Sequence, residues 1–254
     1  MYPVLFRIGS FEVTSFGVMV AIAALVGLWI FRRELRRSGL PESASDAAVW
    51  GLFAGLIGAK LLWVAEHAGE AALSDLLFAR GGLSWYGGFI GGVGVGLSVI
   101  GLQRWPIVPT LAAATPALAF GHAIGRIGCL LVGDDYGRPT DLPWGIAFPE
   151  GLPPTTVPVH PTQLYEAGLL VVLGWALTRW RRRGVSAERV LGAYLFFAAA
   201  TRFGIEFIRV NERVLFGLSV AHVVSLTVAA GGAGLIVRDA RRRAAFASAM
   251  NNGR

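Results

Sequence analysis

Residues 13–37 read VTSFGVMVAIAALVGLWIFRRELRR: nineteen positions without a charge, then four arginines and one glutamate in the next six. An apolar run of about 20 residues is the length of helix that crosses the hydrocarbon core of a bilayer. Arginines crowded beside such a run mark its cytoplasmic end. A cleaved secretory leader carries its basic residues ahead of the apolar stretch and closes on a small-x-small site. Here Arg32, Arg33, Arg36 and Arg37 come after it, and no such site closes it. The segment is predicted to be a retained first span with its N-terminus outside the cytoplasm.

Six further apolar runs follow, near residues 47–65, 83–101, 107–132, 163–178, 190–209 and 218–237. Arg104 follows the third run, Arg179 and Arg181 to Arg183 the fifth, and Arg238 and Arg241 to Arg243 the seventh. With the first span entering from outside, all of these fall on one side of the membrane. Composition agrees: 54% of the 254 residues are hydrophobic and 15% charged, against roughly 45–50% and 25% in a soluble domain. The expectation is an all-α membrane protein of seven transmembrane helices, one polytopic domain over 1–254, N-terminus extracytoplasmic and C-terminus cytoplasmic. Its largest outer segment is a loop at about 133–162, rich in proline and glycine and too short for a domain of its own. No internal repeat is visible, and seven spans do not halve, which argues against an inverted-repeat transporter. The formal charge of +7 comes almost wholly from arginines at the span ends, so it speaks for a membrane and not for nucleic acid. Cys129 is the single cysteine, which excludes an internal disulfide. His67, His122, His160 and His222 lack metal-ligand spacing, and no metal or cofactor is implied.

Ionisable residues inside apolar runs carry the functional argument. Each costs about 2.5–3.5 kcal/mol at mid-bilayer on insertion scales, so such side chains face a cavity or a partner. His122 and Arg126 lie four apart on one helix face, and Arg202, Glu206 and Arg209 form a second stripe. Ion pairing within the bundle would account for Arg202 and Glu206, snorkelling for Arg126 and Lys60, and plain packing for His122. Taken together, arginines near the outer ends of two apolar helices suit an anionic ligand, since guanidinium forks match phosphate. Asp134, Asp135 and Tyr136 follow Gly133, and Gly137 behind them permits a tight turn or the close approach of a ligand. His160 opens HPTQLYE, which enters the fifth run, and Tyr86 stands near the outer end of the third.

Five strings in this order resemble a known family. GRIGCLLVGDDYG with PWGIAFP behind it, the opening MYPVLFRIGSFEVTSFGVMV, GGLSWYGGFIGG, HPTQLYE and RFGIEFIR are similar to segments of the bacterial prolipoprotein diacylglyceryl transferases. The resemblance runs along nearly the whole chain. It implies an enzyme of lipoprotein biosynthesis in the bacterial cytoplasmic (inner) membrane, with phosphatidylglycerol and the prolipoprotein signal peptide with its lipobox cysteine as partners. A diacylglyceryl group would pass to that thiol, leaving a thioether and releasing glycerol phosphate. By position, Arg126 would bind the headgroup together with Gly137, His160 and Arg209. Arg202 would hold phosphate, and Glu206 would orient it or take a proton. Tyr86 and Asp134 stand at further catalytic positions.

The chain departs from the family pattern at several of these places. Tyr86 replaces a histidine proposed as base, Cys129 and Val132 replace two asparagines, Asp134 a glutamate, and Phe16 a tyrosine. A phenol is a weaker proton acceptor than an imidazole near neutral pH. Base duty then passes to Glu206, Asp134, a headgroup oxygen or His122. Cys129 is expected to be a bystander, because the attacking sulfur belongs to the substrate. Two other readings stay open: a paralogue acting on another lipid or acceptor, and a lipid-binding or transport protein without turnover.

Overall fold

The computed structural model describes residues 2–9, 11–79, 82–211 and 217–252. The chain is mostly helical, with eight α-helices and two short hairpins among the described residues. It divides into two compact units, residues 31–111 and residues 1–30 with 112–254.

Residues 31–111 are organised by α2 (Asp46–Glu66) and α4 (Trp85–Leu102), with the short α3 (Leu73–Phe78) between them in sequence. Glycine lets these two helices approach closely. A Cβ added at Gly58 would sit 2.5 Å from the Gly87 carbonyl oxygen, and one at Gly91 2.5 Å from that of Ala54. In lipid, such small-residue seams replace the hydrophobic drive with van der Waals contact. Lys60 sends its ammonium to the Ala79 carbonyl at 2.9 Å and over the Trp63 ring.

The other unit opens with a hairpin of β1 (Val4–Ile8) and β2 (Phe11–Thr14), which leads directly into α1 (Ser15–Arg37). Next come the later part of α5 (Ile107–Val132), a second hairpin of β3 (Ile146–Phe148) and β4 (Thr155–Val159), and α6 (Thr162–Arg182). The chain ends with α7 (Ala187–Glu206) and α8 (Val220–Asn252). Helices α7 and α8 meet where a Cβ on Gly192 would stand 2.7 Å from the Gly232 carbonyl oxygen. Ala123, Ala167 and Leu170 form a small core between α5 and α6, with Ile127 against it.

Long helices thus stand at all seven expected positions. Five are long and apolar enough to cross a membrane: α1, α2 with the turn before it, α4, α5 and α8. The other two are not among them: α6 carries Glu166, Arg179, Arg181 and Arg182, and α7 carries Glu188, Arg189, Arg202 and Glu206. Helix α8 continues some fifteen residues past its expected end at 237, through RDARRRAAFASAMNN, which holds no glycine or proline to stop it.

Candidate active site

Helix α5 supplies His122, Arg126 and Cys129 at spacings of four and three, on one face near its C-terminal end. Gly133 ends the helix at φ 72°, and the Asp134 N–H turns back to the Cys129 carbonyl at 3.1 Å. Such a left-handed glycine cap satisfies helix-end carbonyls while reversing the chain. Asp135 follows, also left-handed at φ 62°. An aspartate tolerates that conformation better than most side chains do.

The first turn of α6 pins this reversed loop. Thr162 Oγ1 donates to the Asp135 carbonyl at 2.7 Å, and Gln163 Nε2 donates to that of Asp134. Beyond it, the Gly137 N–H donates to the His160 carbonyl at 2.9 Å, and the Arg138 N–H to the Ile208 carbonyl at 2.8 Å. A Cβ on Gly137 would lie 2.8 Å from the Ile208 oxygen and 2.9 Å from Thr162 Cγ2. Glycine is needed here so that the loop can pass between the start of α6 and the end of α7.

That passage brings three guanidiniums and three carboxylates together. Arg126 Nη1 donates to Asp135 Oδ2 at 2.8 Å, and Arg209 donates to the other oxygen of the same carboxylate. On its far side Arg126 Nε lies 3.0 Å from Glu166 Oε2, an ion pair whose N–H is not aligned as a hydrogen bond. Glu166 Oε1 faces His122 Nε2 at 3.5 Å. Arg202 Nη2 meets Glu206 Oε2 at 2.8 Å, four residues along α7. Glu206 Oε1 accepts from Asn211 at 2.7 Å and from the Ser219 hydroxyl at 2.6 Å. Ser219 also lies 3.0 Å from His222 Nδ1, and Phe203 and Phe207 pack edge-on against the His222 ring.

Burial makes this arrangement costly unless every charge is answered. Glu206 and Glu166 are buried, and the Arg126 side chain is only 8% exposed. Donors are nonetheless left over: Arg126 Nη2 and Arg202 Nη1 are buried and, like Arg126 Nε, have no hydrogen-bond partner. Unsatisfied charged donors of this kind are exceptions that call for an explanation. A phosphate oxygen is the group their fork geometry accepts best.

The two neighbouring aspartates behave differently. Burial opposes charge on Asp135, but Arg209 and Arg126 outweigh it and hold the carboxyl below its ordinary range. Burial pushes the Asp134 carboxyl up, and Asp135 beside it adds to the rise, against the pull of the Cys129 hydrogen bond and the two arginines. Cys129, Asp134 and Asp135 form the one group of potential metal donors among the described residues, within 4.8 Å of one another. A cation there would compete with two guanidiniums already bonded to Asp135.

Of the residues singled out in the sequence, Arg126, Arg202, Glu206 and Arg209 converge in this lattice, and Gly137 shapes it through its backbone. Asp134 borders it with its carboxyl toward Cys129. His160 supports the loop by backbone bonds, and its ring faces the Tyr165 hydroxyl at 3.4 Å, which also accepts from Trp144 Nε1. Tyr86 belongs to the unit of residues 31–111, where it is partly exposed at the start of α4 with Trp85 edge-on to it. Sequence reasoning gave no role to Asp135, Glu166, Asn211, Ser219 or His222. The available signal for Glu166 was a carboxylate within an apolar run. Asn211 and Ser219 carry none, because they reach Glu206 only once the chain is folded.

The sequence matches the family model described as prolipoprotein diacylglyceryl transferase over residues 3–238. It is similar to the phosphatidylglycerol–prolipoprotein diacylglyceryl transferase of Geobacter sulfurreducens, 36% identical with 82% of each chain covered. The enzyme of the same name from a Nostoc species is 32% identical over 95% of this chain and 90% of its own. That of Clostridium tetani is 29% identical over 84% and 87%. This kinship and the five apolar helices together describe a multi-pass membrane protein.

Proposed function

Because the chain belongs to the prolipoprotein diacylglyceryl transferase family, we propose that it transfers a diacylglyceryl group from phosphatidylglycerol to the lipobox cysteine of a prolipoprotein. In this reading α6 and α7 also span, giving seven transmembrane helices in the bacterial inner membrane with the N-terminus and the 133–162 loop outside. The thiol sulfur attacks the glyceryl carbon esterified to phosphate, forming the C–S bond as the C–O bond breaks. The electron pair leaves with glycerol phosphate, and the thiol proton must be removed and finally returned to that product.

The observation that carries this reading is the pair of buried, unpartnered N–H groups on Arg126 and Arg202. Donors fixed before the lipid arrives stabilise charge gathering on a departing phosphate without reorganisation. Asp135 and Glu166 fix Arg126 from two sides, and Glu206 fixes Arg202. Buried, with one oxygen hydrogen-bonded to Asn211 and Ser219 and the other ion-paired with Arg202, Glu206 acts as a positioning residue for arginine. Arg209 joins Arg126 through their shared Asp135, so the headgroup meets a braced pair.

Purified protein incubated with phosphatidylglycerol and a lipobox peptide tests the proposal by mass spectrometry. Thioether product and released glycerol phosphate are expected in equal amounts. A folded protein that binds phosphatidylglycerol without forming either product is instead a lipid-binding paralogue, and the proposal fails.

A further inference from the structure

Something must accept the thiol proton, and Glu206, Asp135 and Glu166 are each paired with arginine. Glu206 is buried with Arg202, Asn211 and Ser219 around it. Asp135 is divided between two guanidiniums. Glu166 is buried between Arg126 and His122, and Asp134 is hydrogen-bonded to the Cys129 thiol with its other oxygen buried. His122 is different. Its side chain is 49% exposed, its Nε2 faces the Glu166 carboxylate at 3.5 Å, and its Nδ1 meets no protein partner among the described residues. It stands one helical turn before Arg126, a rise of about 6 Å along α5.

Resting on the transfer proposed above, we infer that His122 is the catalytic base. Nδ1 takes the thiol proton while Glu166 behind Nε2 fixes the ring and stabilises the imidazolium. The freed electron pair on sulfur forms the C–S bond, the C–O pair leaves with phosphate, and the imidazolium then protonates the released glycerol phosphate. Glu166 is a positioning residue with two duties, since its other oxygen orients Arg126. Proton acceptor and phosphate donor are thereby set from one carboxylate. The charges facing the ring are Glu166 from α6, Arg126 from α5 itself and Arg202 from α7. A carboxylate-backed imidazole beside a phosphate-binding group is a recurring arrangement for proton transfer.

The test measures kcat/KM against pH with phosphatidylglycerol and lipobox peptide, alongside binding of phosphatidylglycerol. Wild type should show an acid limb, and His122→Gln should lower kcat/KM by about 10²-fold or more and abolish that limb, with lipid binding kept. His122→Asn serves as the second variant, and added imidazole should partly restore turnover in His122→Gly. A selenocysteine lipobox peptide, whose selenol ionises more readily than a thiol, should flatten the limb in the wild-type protein without any substitution. Full activity of His122→Gln, or an acid limb that survives both in that variant and with the selenol, overturns the inference. Absence of thioether from wild type at every pH would instead remove the transfer reading itself.

Discussion

Between α2 and α4 glycine faces glycine, and backbone carbonyls lie where side chains would otherwise stand. Across α5, α6 and α7 the contacts are arginine against carboxylate, with buried donors left over. The first seam gains from closeness alone and needs no ligand to be complete. The second is held in a geometry that sets a carboxylate against each arginine and still leaves buried donors without a hydrogen bond. Packing that is finished reads as scaffold, and packing that is nearly finished reads as a site.

Removing the unanswered donors should break this contrast most sharply. Arg126→Ala and Arg202→Ala are each expected to lower transfer by about 10²-fold or more, measured as thioether formed, while thermal unfolding shows the fold intact. Lysine at either position should not restore the rate, because an ammonium cannot present two parallel donors. Wild-type rates in both alanine variants would reduce the arginines to bundle glue.

The glycine seam should respond in stability. Gly58→Leu is expected to cost about 1–3 kcal/mol through overpacking, read from thermal unfolding in detergent. Gly94→Leu on α4, where an added Cβ meets nothing within 4 Å, should be tolerated. Equal losses at both positions would show that closeness does not hold the seam.

Smaller effects separate the adjacent aspartates. The lowered Asp135 carboxyl contributes stability that is present above its unfolded value of about 3.9 and is lost as pH falls through the folded value. Asp134 has the opposite sign: its raised carboxyl contributes below the unfolded value, and that contribution is lost as pH rises through the folded one. Asp135→Asn should therefore lower Tm at neutral pH, with the gap closing in acid. Asp134→Asn should leave Tm unchanged or raise it. The smallest effect belongs to Cys129→Ala, which should leave transfer nearly unchanged. Its thiol receives a 3.5 Å contact from Arg126 and hydrogen-bonds the Asp134 carboxyl, and loss of activity there would contradict attack by the substrate's sulfur.

Much of the architecture was legible because a bilayer demands long apolar helices and arginine marks their ends. Arg126 and Arg202 were legible for the same reason, as charges where lipid leaves no excuse for them. Asp135 was not, since the choice between two adjacent aspartates depends on left-handed turns at Gly133 and Asp135 that send their carboxyls different ways. Glu166 stood in view inside HPTQLYE, but its service to both Arg126 and His122 exists only once α6 packs on α5. The hairpin β1–β2 left no trace beside the stronger apolar signal of the span it precedes.

Arg126, Arg202 and Arg209 are matched one for one by Asp135, Glu166 and Glu206. Such a site casts little long-range field, so lipid must reach it by diffusion within the membrane and not by attraction from afar. Salt screens exposed charges over about 10 Å at 0.1 M and buried ones far less. Lipid affinity should therefore change little with ionic strength, and headgroups would be told apart by where their oxygens fall and not by how much charge they carry.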